Sequence, residues 1–452
     1  MPSSPIASSQ HAVPRSIERF NRALQLIPGG TQLISRRPSR YAAGVSPAFA
    51  ARAVGARFWD IDGHEYIDWV SGIGAIILGY ADPVVNEAVC QQIALGNCFS
   101  INHELEIELA EELVRLIPCA EMVRYAKCGG EACAVAVRIA RGATGRDKIL
   151  FCGYHGWQDW YLAANLGVEA NLDAHLFPGI EPIGVPAALA NTAIPFAYGD
   201  LASLCQRLDE NAGQVAAVIM EPLRSAMPPA GYLASVAQVC QDRGVVLIFD
   251  EVTTGFRLSP GGVEPVLGVT PDMAVFAKSI SNGFPMAAVA GRRKVMEHAA
   301  HMFISSTYWS DTIGLRAALT TLREIERRGV PEYLDQLGAT IKQRMNEAAA
   351  DAGLDVSCEG MNIHPHLRFN VGGDAALQGK LATLYIQEMA KRGCHGYASF
   401  YLNAAQGEPE IAQTAAAALE AFGIIAGGLA AGNIDSLLEC DVQKDYFRRI
   451  VS

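Results

Sequence analysis

The spacing of apolar and polar residues changes several times along this 452-residue chain, and each change marks an element. Residues 1 to about 15, rich in Ser, Pro and Ala, carry no apolar period and read as a mobile tail. A helix is predicted from Ser16 to Leu26, stopped by Pro28-Gly29-Gly30. Arg57-Phe58-Trp59-Asp60-Ile61 and Glu65-Tyr66-Ile67-Asp68-Trp69 alternate on either side of Asp62-Gly63, the pattern of a tight hairpin. From residue 104 the period alternates: a helix over Glu104–Ile117, a strand at Met122–Ala126, a helix over Ala132–Ala143 and a strand at Lys148–Cys152. Such alternation predicts parallel strands joined by crossover helices. Val215–Met220, Val245–Phe249, Met273–Ala277 and Met286–Ala290 are uniformly apolar, as strands buried on both faces are, and Tyr232–Asp242 reads as a helix between them. A helical stretch follows from Asp311 to about Arg328, and Leu367–Val371 reads as a strand of a separate C-terminal unit.

Composition adds exclusions. With 50% hydrophobic and 18% charged residues the chain is a packed globular protein, and its net charge of −11 offers no field for nucleic acid or anionic lipid. The uncharged, apolar stretches Trp69–Ala81 and Ala421–Ile434 are too short to span a bilayer, and the N-terminus lacks the features of a secretion signal. A cytoplasmic protein with no nucleic-acid or membrane partner is expected. The eleven Cys form no C-x-x-C pair and read as buried reduced thiols. His298/His301 and His364/His366 lack an acidic or thiol third ligand, so no metal is expected.

The chemistry concentrates at two strand ends. Val245-Val246-Leu247-Ile248-Phe249 runs into Asp250-Glu251, and in a parallel sheet the carboxyl end of a strand opens on a ligand crevice. A carboxylate there calls for a bound cation; an acidic helix cap is the bland alternative. Lys278 follows the apolar run Met273–Ala277, and a lysine desolvated in this way yields the neutral amine that condenses with an aldehyde, unless it merely reaches for solvent. Together the two suggest pyridoxal 5′-phosphate (PLP), whose ring nitrogen needs a carboxylate and whose aldehyde needs a lysine.

These segments, with Ile27-Pro28-Gly29-Gly30-Thr31, Trp59-Asp60-Ile61-Asp62-Gly63-His64-Glu65-Tyr66-Ile67-Asp68, Gly153-Tyr154-His155-Gly156, Ile219-Met220-Glu221-Pro222, Phe249-Asp250-Glu251-Val252 and Lys278-Ser279-Ile280-Ser281-Asn282-Gly283-Phe284-Pro285, resemble the class III, fold-type I aminotransferases over nearly the whole chain, and among them the branch of glutamate-1-semialdehyde aminomutase. The resemblance implies an α/β fold: a large PLP-binding domain with a mainly parallel sheet at residues 76–330, and a smaller α+β domain in which the N-terminal segment 1–75 packs with residues 331–452. It makes Lys278 the internal aldimine lysine and Asp250 the pyridinium partner. Val252 and Tyr154 would cover the two ring faces, with His155 beside Tyr154. The phosphate would sit at Cys128-Gly129-Gly130, before the Ala132 helix, where the family usually carries two hydroxyl residues that are missing here. Thr307 stands where the family takes a threonine from the neighbouring subunit, implying a homodimer with shared active sites.

The substrate side departs from the aminomutase pattern. Ala226 replaces an Asn expected at the cofactor's phenolic oxygen, with Arg224 near enough to compensate, and no serine matches after the Pro-Gly-Gly turn. Trp157, Arg224 and Glu221 are the candidates for substrate contact. Trp157 and Trp160 offer surfaces for a ring-bearing substrate, against plain core packing. Glu251 and Arg257 are secondary candidates, as an ion pair or as a grip on a substrate carboxylate. The reading is a PLP-dependent aminotransferase acting by a ping-pong mechanism on a small-molecule amino donor and a carbonyl acceptor; an aminomutase and a non-catalytic PLP-binding protein are the alternatives.

Overall fold

The alternation around Asp62-Gly63 closes as a hairpin in the computed structural model, which describes residues 11–443 apart from 169 and 176–178. β1 (Ala50–Val54), β2 (Arg57–Asp60) and β3 (Glu65–Asp68) form an antiparallel ribbon with Arg57 opposite Ile67 and Trp59 opposite Glu65. Gly63 turns it at φ +100°, a conformation a side chain would strain. Cys394–His395 pairs in parallel with β3, so the two ends of the chain share one sheet. The preceding helix begins at Pro14 rather than Ser16, since proline's fixed φ suits a first helical turn. Residues 1–10 of the expected tail lie outside the described residues.

By its contacts the chain divides into two units. Among the described residues, one takes those up to Asp82 together with those from Tyr333 to Gln443; the other runs from Pro83 to Glu332. In the first, Val356–Glu359 pairs antiparallel with His366–Phe369, where the sequence predicted one strand at Leu367–Val371. Its helix Glu408–Ala431 has the length and apolarity of a membrane span, but its buried positions Ile411, Thr414, Ala418, Ala421, Phe422 and Ile425 recur at helical steps along one stripe. That stripe is the pattern of a helix laid on protein, and the helix packs on Ala375–Lys391.

In the second unit β4 (Met122–Ala126), β5 (Lys148–Cys152), β6 (Ala193–Pro195), β7 (Val215–Met220), β8 (Val246–Asp250), β9 (Met273–Phe276) and β10 (Ala287–Gly291) form one sheet in the order β4-β10-β9-β8-β7-β5-β6. β5, β7, β8 and β9 are mutually parallel, as predicted, and β6, which the sequence reading did not include, joins β5 in parallel. β10 departs from that expectation and runs antiparallel to both neighbours. Its connection from β9 holds only the short turn Lys278–Ser281, and a parallel crossover needs about a dozen residues or more. Every residue of β7, β8, β9 and β10 is buried, which accounts for their unbroken apolar composition. The helix Gly129–Thr144 covers one face through Ala132, Val135, Ala136, Ile139 and Ala140, small enough to bring its axis close to Ala216, Ile248 and Val275. The carboxyl ends of β4, β5, β7, β8 and β9 open on the same edge.

Candidate active site

Asp250 ends β8 directly opposite Val275 of β9, so Lys278 leaves the neighbouring strand three residues farther on, at the same edge of the sheet. The Asp250 side chain is buried. Its Oδ1 accepts the Val252 N–H at 3.0 Å, and its Oδ2 contacts His155 Nδ1 at 2.7 Å and accepts the Cys133 thiol at 3.4 Å. No helix follows; the chain turns, so the carboxylate closes a two-residue turn instead of capping a helix. Among the described residues none of these contacts is a lysine or arginine.

Lys278 takes φ +48°, a left-handed backbone that costs a lysine energy and is held only where the surroundings demand it. Its Nζ donates to Thr253 Oγ1 at 3.1 Å, a partner that the sequence did not suggest. Thr253 lies three residues past Asp250 on the same turn.

The glycine turn expected ahead of the Ala132 helix is the first turn of that helix, which starts at Gly129 with Cys128 as its extended N-cap residue. Ala132 makes the first intrahelical bond, to Cys128 O at 2.9 Å, so the N–H groups of Gly129, Gly130 and Glu131 precede the ladder and form the positive end of the helix dipole. The glycines are needed for close approach. A Cβ on Gly129 would lie 2.8 Å from Val252 Cγ1, and one on Gly130 would lie 2.7 Å from Gln158 Oε1 and 3.0 Å from Gly156 Cα. Val252 and the 153–158 loop are thus drawn against this helix end. Tyr154 and Val252 are both half-buried and pack on the central core, and the Tyr154 N–H donates to Glu221 Oε2 at 3.4 Å.

The substrate candidates separate. Glu221 and Arg224 face each other at 3.6 Å with side chains 7% and 3% exposed, beneath the Tyr154 backbone. Trp157 is 72% exposed, whereas Trp160 is in the core and follows the packing alternative. Glu251 is fully buried and accepts the Val263 N–H at 2.8 Å, and burial pushes its carboxyl well above the usual range. It braces the turn after β8, and Arg257 is likewise buried. Thr307 is exposed between Phe303 (87% exposed) and Tyr308 (65%), and its carbonyl accepts the Cys98 thiol at 3.8 Å. All eleven cysteines are free thiols, but Cys90, Cys98 and Cys128 are exposed, contrary to the expectation that all are buried.

Near Glu251, burial pushes the Glu264 carboxyl up to about 7. Folding then favours its protonated form: its contribution to stability is complete below the ordinary carboxyl pKa and is lost as pH rises toward 7. At roughly 1.4 kcal/mol per unit the loss is at most about 3.5 kcal/mol. Glu264→Gln should flatten the stability profile between pH 5 and 7, read by urea unfolding of both proteins at each pH; parallel profiles would contradict this.

Residues 40–360 match the family described as Aminotransferase class-III. The chain is 34% identical over 397 residues to 3-aminobutyryl-CoA aminotransferase of Cloacimonas acidaminovorans, covering 85% of this chain and 91% of that protein. It is 37% identical over 351 residues to glutamate-1-semialdehyde 2,1-aminomutase of Citrifermentans bemidjiense, with 76% and 81% covered. Among solved structures, the FumI protein of Sphingopyxis sp. MTA144, determined with PLP, superposes with a TM-score of 0.84 at 26% identity, covering 93% of this chain and 98% of that one.

Proposed function

Because the chain belongs to the class III aminotransferases, a PLP-dependent family, we propose that it moves an amino group from an amino donor to a carbonyl acceptor in two half-reactions, with the cofactor seated at the carboxyl edge of the seven-stranded sheet. The observation that carries this reading is the placement of Asp250 and Lys278 at the ends of adjacent parallel strands. The residues present fit the cofactor. Asp250 is a buried carboxylate contacted by His155, Cys133 and a backbone N–H, and suits a protonated ring nitrogen. The N-terminus of the helix Gly129–Thr144, drawn close to Val252 and Gly156 by its glycines, suits a phosphate without the two hydroxyls.

When bound, PLP supplies an aldehyde that captures amines and a ring that draws electrons from the carbon bearing the nitrogen. Lys278 would hold the cofactor through Nζ, and its amine, when neutral and free, would serve as the base that takes and returns a proton at Nζ. Thr253 Oγ1 steers that amine. Asp250 keeps the ring proton in place, and His155 orients Asp250. Tyr154 and Val252 would cover the two faces of the ring and keep water from it. Trp157, Arg224 and Glu221 are the residues we assign to the substrate side.

We place the enzyme in the cytoplasm, in keeping with eleven free thiols, as a homodimer in which Thr307 reaches the partner's phosphate site. The exposure of Thr307 between Phe303 and Tyr308 supports this, since large apolar groups are seldom left in water. Thr307→Ala should weaken cofactor retention about tenfold, the worth of one charge-assisted hydrogen bond. Dimers mixed from Lys278→Ala and Thr307→Ala subunits should recover activity, because both lesions fall in one pocket; unchanged cofactor affinity in Thr307→Ala would remove the residue from the site.

Screening amino donors against the holoenzyme, with loss of the visible cofactor band as the signal, tests the function. A donor that bleaches the band, followed by recovery on adding an α-keto acid, establishes the transferase. The 37% identity to an aminomutase keeps that second reading in view, although Ala226 stands where the resemblance expects an Asn. Conversion of a single substrate with no acceptor would decide for the mutase.

A further inference from the structure

Asp250 is fixed by three donors, and one of them comes from an unexpected quarter. Val252 and His155 belong to segments already read as cofactor-binding, whereas Cys133 lies on the second turn of the helix whose N-terminus forms the phosphate cradle. We infer that Cys133 is a positioning residue for the cofactor: its buried thiol donates to Asp250 Oδ2 and holds that carboxylate where it would meet the ring nitrogen. The inference rests on the PLP reading and adds to it a residue that the sequence resemblance does not assign.

The geometry is specific. Cys133 is 1% exposed and its Sγ lies 3.4 Å from Oδ2, the same oxygen that His155 Nδ1 contacts at 2.7 Å. The other oxygen is occupied by the Val252 N–H. Burial and the adjacent carboxylate push the thiol well up, so Cys133 stays protonated and can act only as a donor toward Asp250. A carboxylate relieved of one donor binds a proton more strongly, and a proton shared with a ring nitrogen moves toward the oxygen. The thiol therefore acts on the cofactor's electronics without touching it. It also links the two anion sites mechanically, because the helix that would hold the phosphate also holds the carboxylate. Sγ, His155 Nδ1 and the Asp250 carboxylate lie within 4.8 Å of one another, so the same cluster has the composition of a metal site. A metal there would take the carboxylate away from the ring.

The test uses holoenzyme loaded with PLP labelled with ¹⁵N in the ring. In Cys133→Val the ring resonance should move toward the unprotonated pyridine position and cofactor release should speed by roughly two- to tenfold, the effect of one net hydrogen bond; Cys133→Ser, which keeps a donor, should restore both. Unchanged resonance and release in Cys133→Val, or a Cys133→Ser variant that behaves like Val, would overturn the role. So would stoichiometric zinc in the purified protein. Should the variants fail to fold, the infrared S–H stretch answers in the native chain: one thiol band should lie at low frequency and rise in Asp250→Asn, and its absence from the native spectrum would count against the bond. If the wild-type protein binds no PLP at all, the fault lies with the cofactor reading instead of with Cys133.

Discussion

Lys278→Ala should yield a folded protein that still takes up PLP reversibly, shows no lysine-linked cofactor band, and loses the amino-transfer half-reaction. The substitution removes the covalent hold and the proton carrier at once. Proton transfer by a positioned base is worth on the order of 10²–10⁴-fold, or about 3–5 kcal/mol of barrier, and no second amine in the described site stands ready to replace it. Stability should not suffer. Lys278 sits at φ +48°, where any non-glycine residue is strained, so alanine inherits the cost without adding to it. Truncating the side chain also frees Thr253 Oγ1 from the Nζ contact. Stopped-flow mixing of the holo variant with an amino donor checks the prediction, and a half-reaction rate within tenfold of wild type would remove Lys278 from its assigned role. Exogenous small amines should return part of the rate, because a diffusing base can occupy the space the side chain leaves.

Much of the fold could be read from the sequence where hydrophobic period and burial agree. The hairpin at Asp62-Gly63 and the apolar runs now seen as β7, β8 and β9 lie within a residue or so of the expected bounds. What escaped has physical causes. β1, Ala50–Val54, has no buried position, so no alternation marks it. β6 is a three-residue edge strand ending in Pro195, and proline is a strand signal only at an edge. The reversed direction of β10 is set by the short link from Lys278 to Met286, a matter of chain length that apolarity does not report.

The site divides along the same line. Asp250 and Lys278 stood out because a charge directly after an apolar strand is costly and therefore informative. Thr253 and Cys133 carried no such mark: a threonine in a turn and a cysteine in an alanine-rich helix are ordinary, and only the fold brings them to Lys278 Nζ and Asp250 Oδ2. His155 was expected beside Tyr154, but its contact with Asp250 spans 95 residues and follows from β5 and β8 ending at one edge of the sheet.

Asp250→Asn should keep the cofactor linked to Lys278 and lose most of the turnover. The amide is nearly isosteric but has one acceptor where the carboxylate has two, and the three donors around Asp250 cannot all be served. If the amide oxygen faces His155 and Cys133, its NH₂ group opposes the Val252 N–H, a donor against a donor, at about 1–3 kcal/mol for the unmet groups. If the oxygen faces Val252, His155 must accept through Nδ1 and move its proton to Nε2, which is buried with no hydrogen-bond partner among the described residues. Either arrangement lowers stability by about 1–3 kcal/mol. Catalysis should lose more, because a neutral amide cannot hold the ring nitrogen in its protonated state. Replacing a charge-assisted hydrogen bond by a neutral one removes about 1.5–3 kcal/mol, equivalent to a fall in kcat of roughly ten- to a hundredfold. The lysine linkage is chemistry at the opposite side of the cofactor ring, so the visible band should persist while donors bleach it slowly. A variant with wild-type kcat would mean that the carboxylate after Phe249 serves only the turn at Val252.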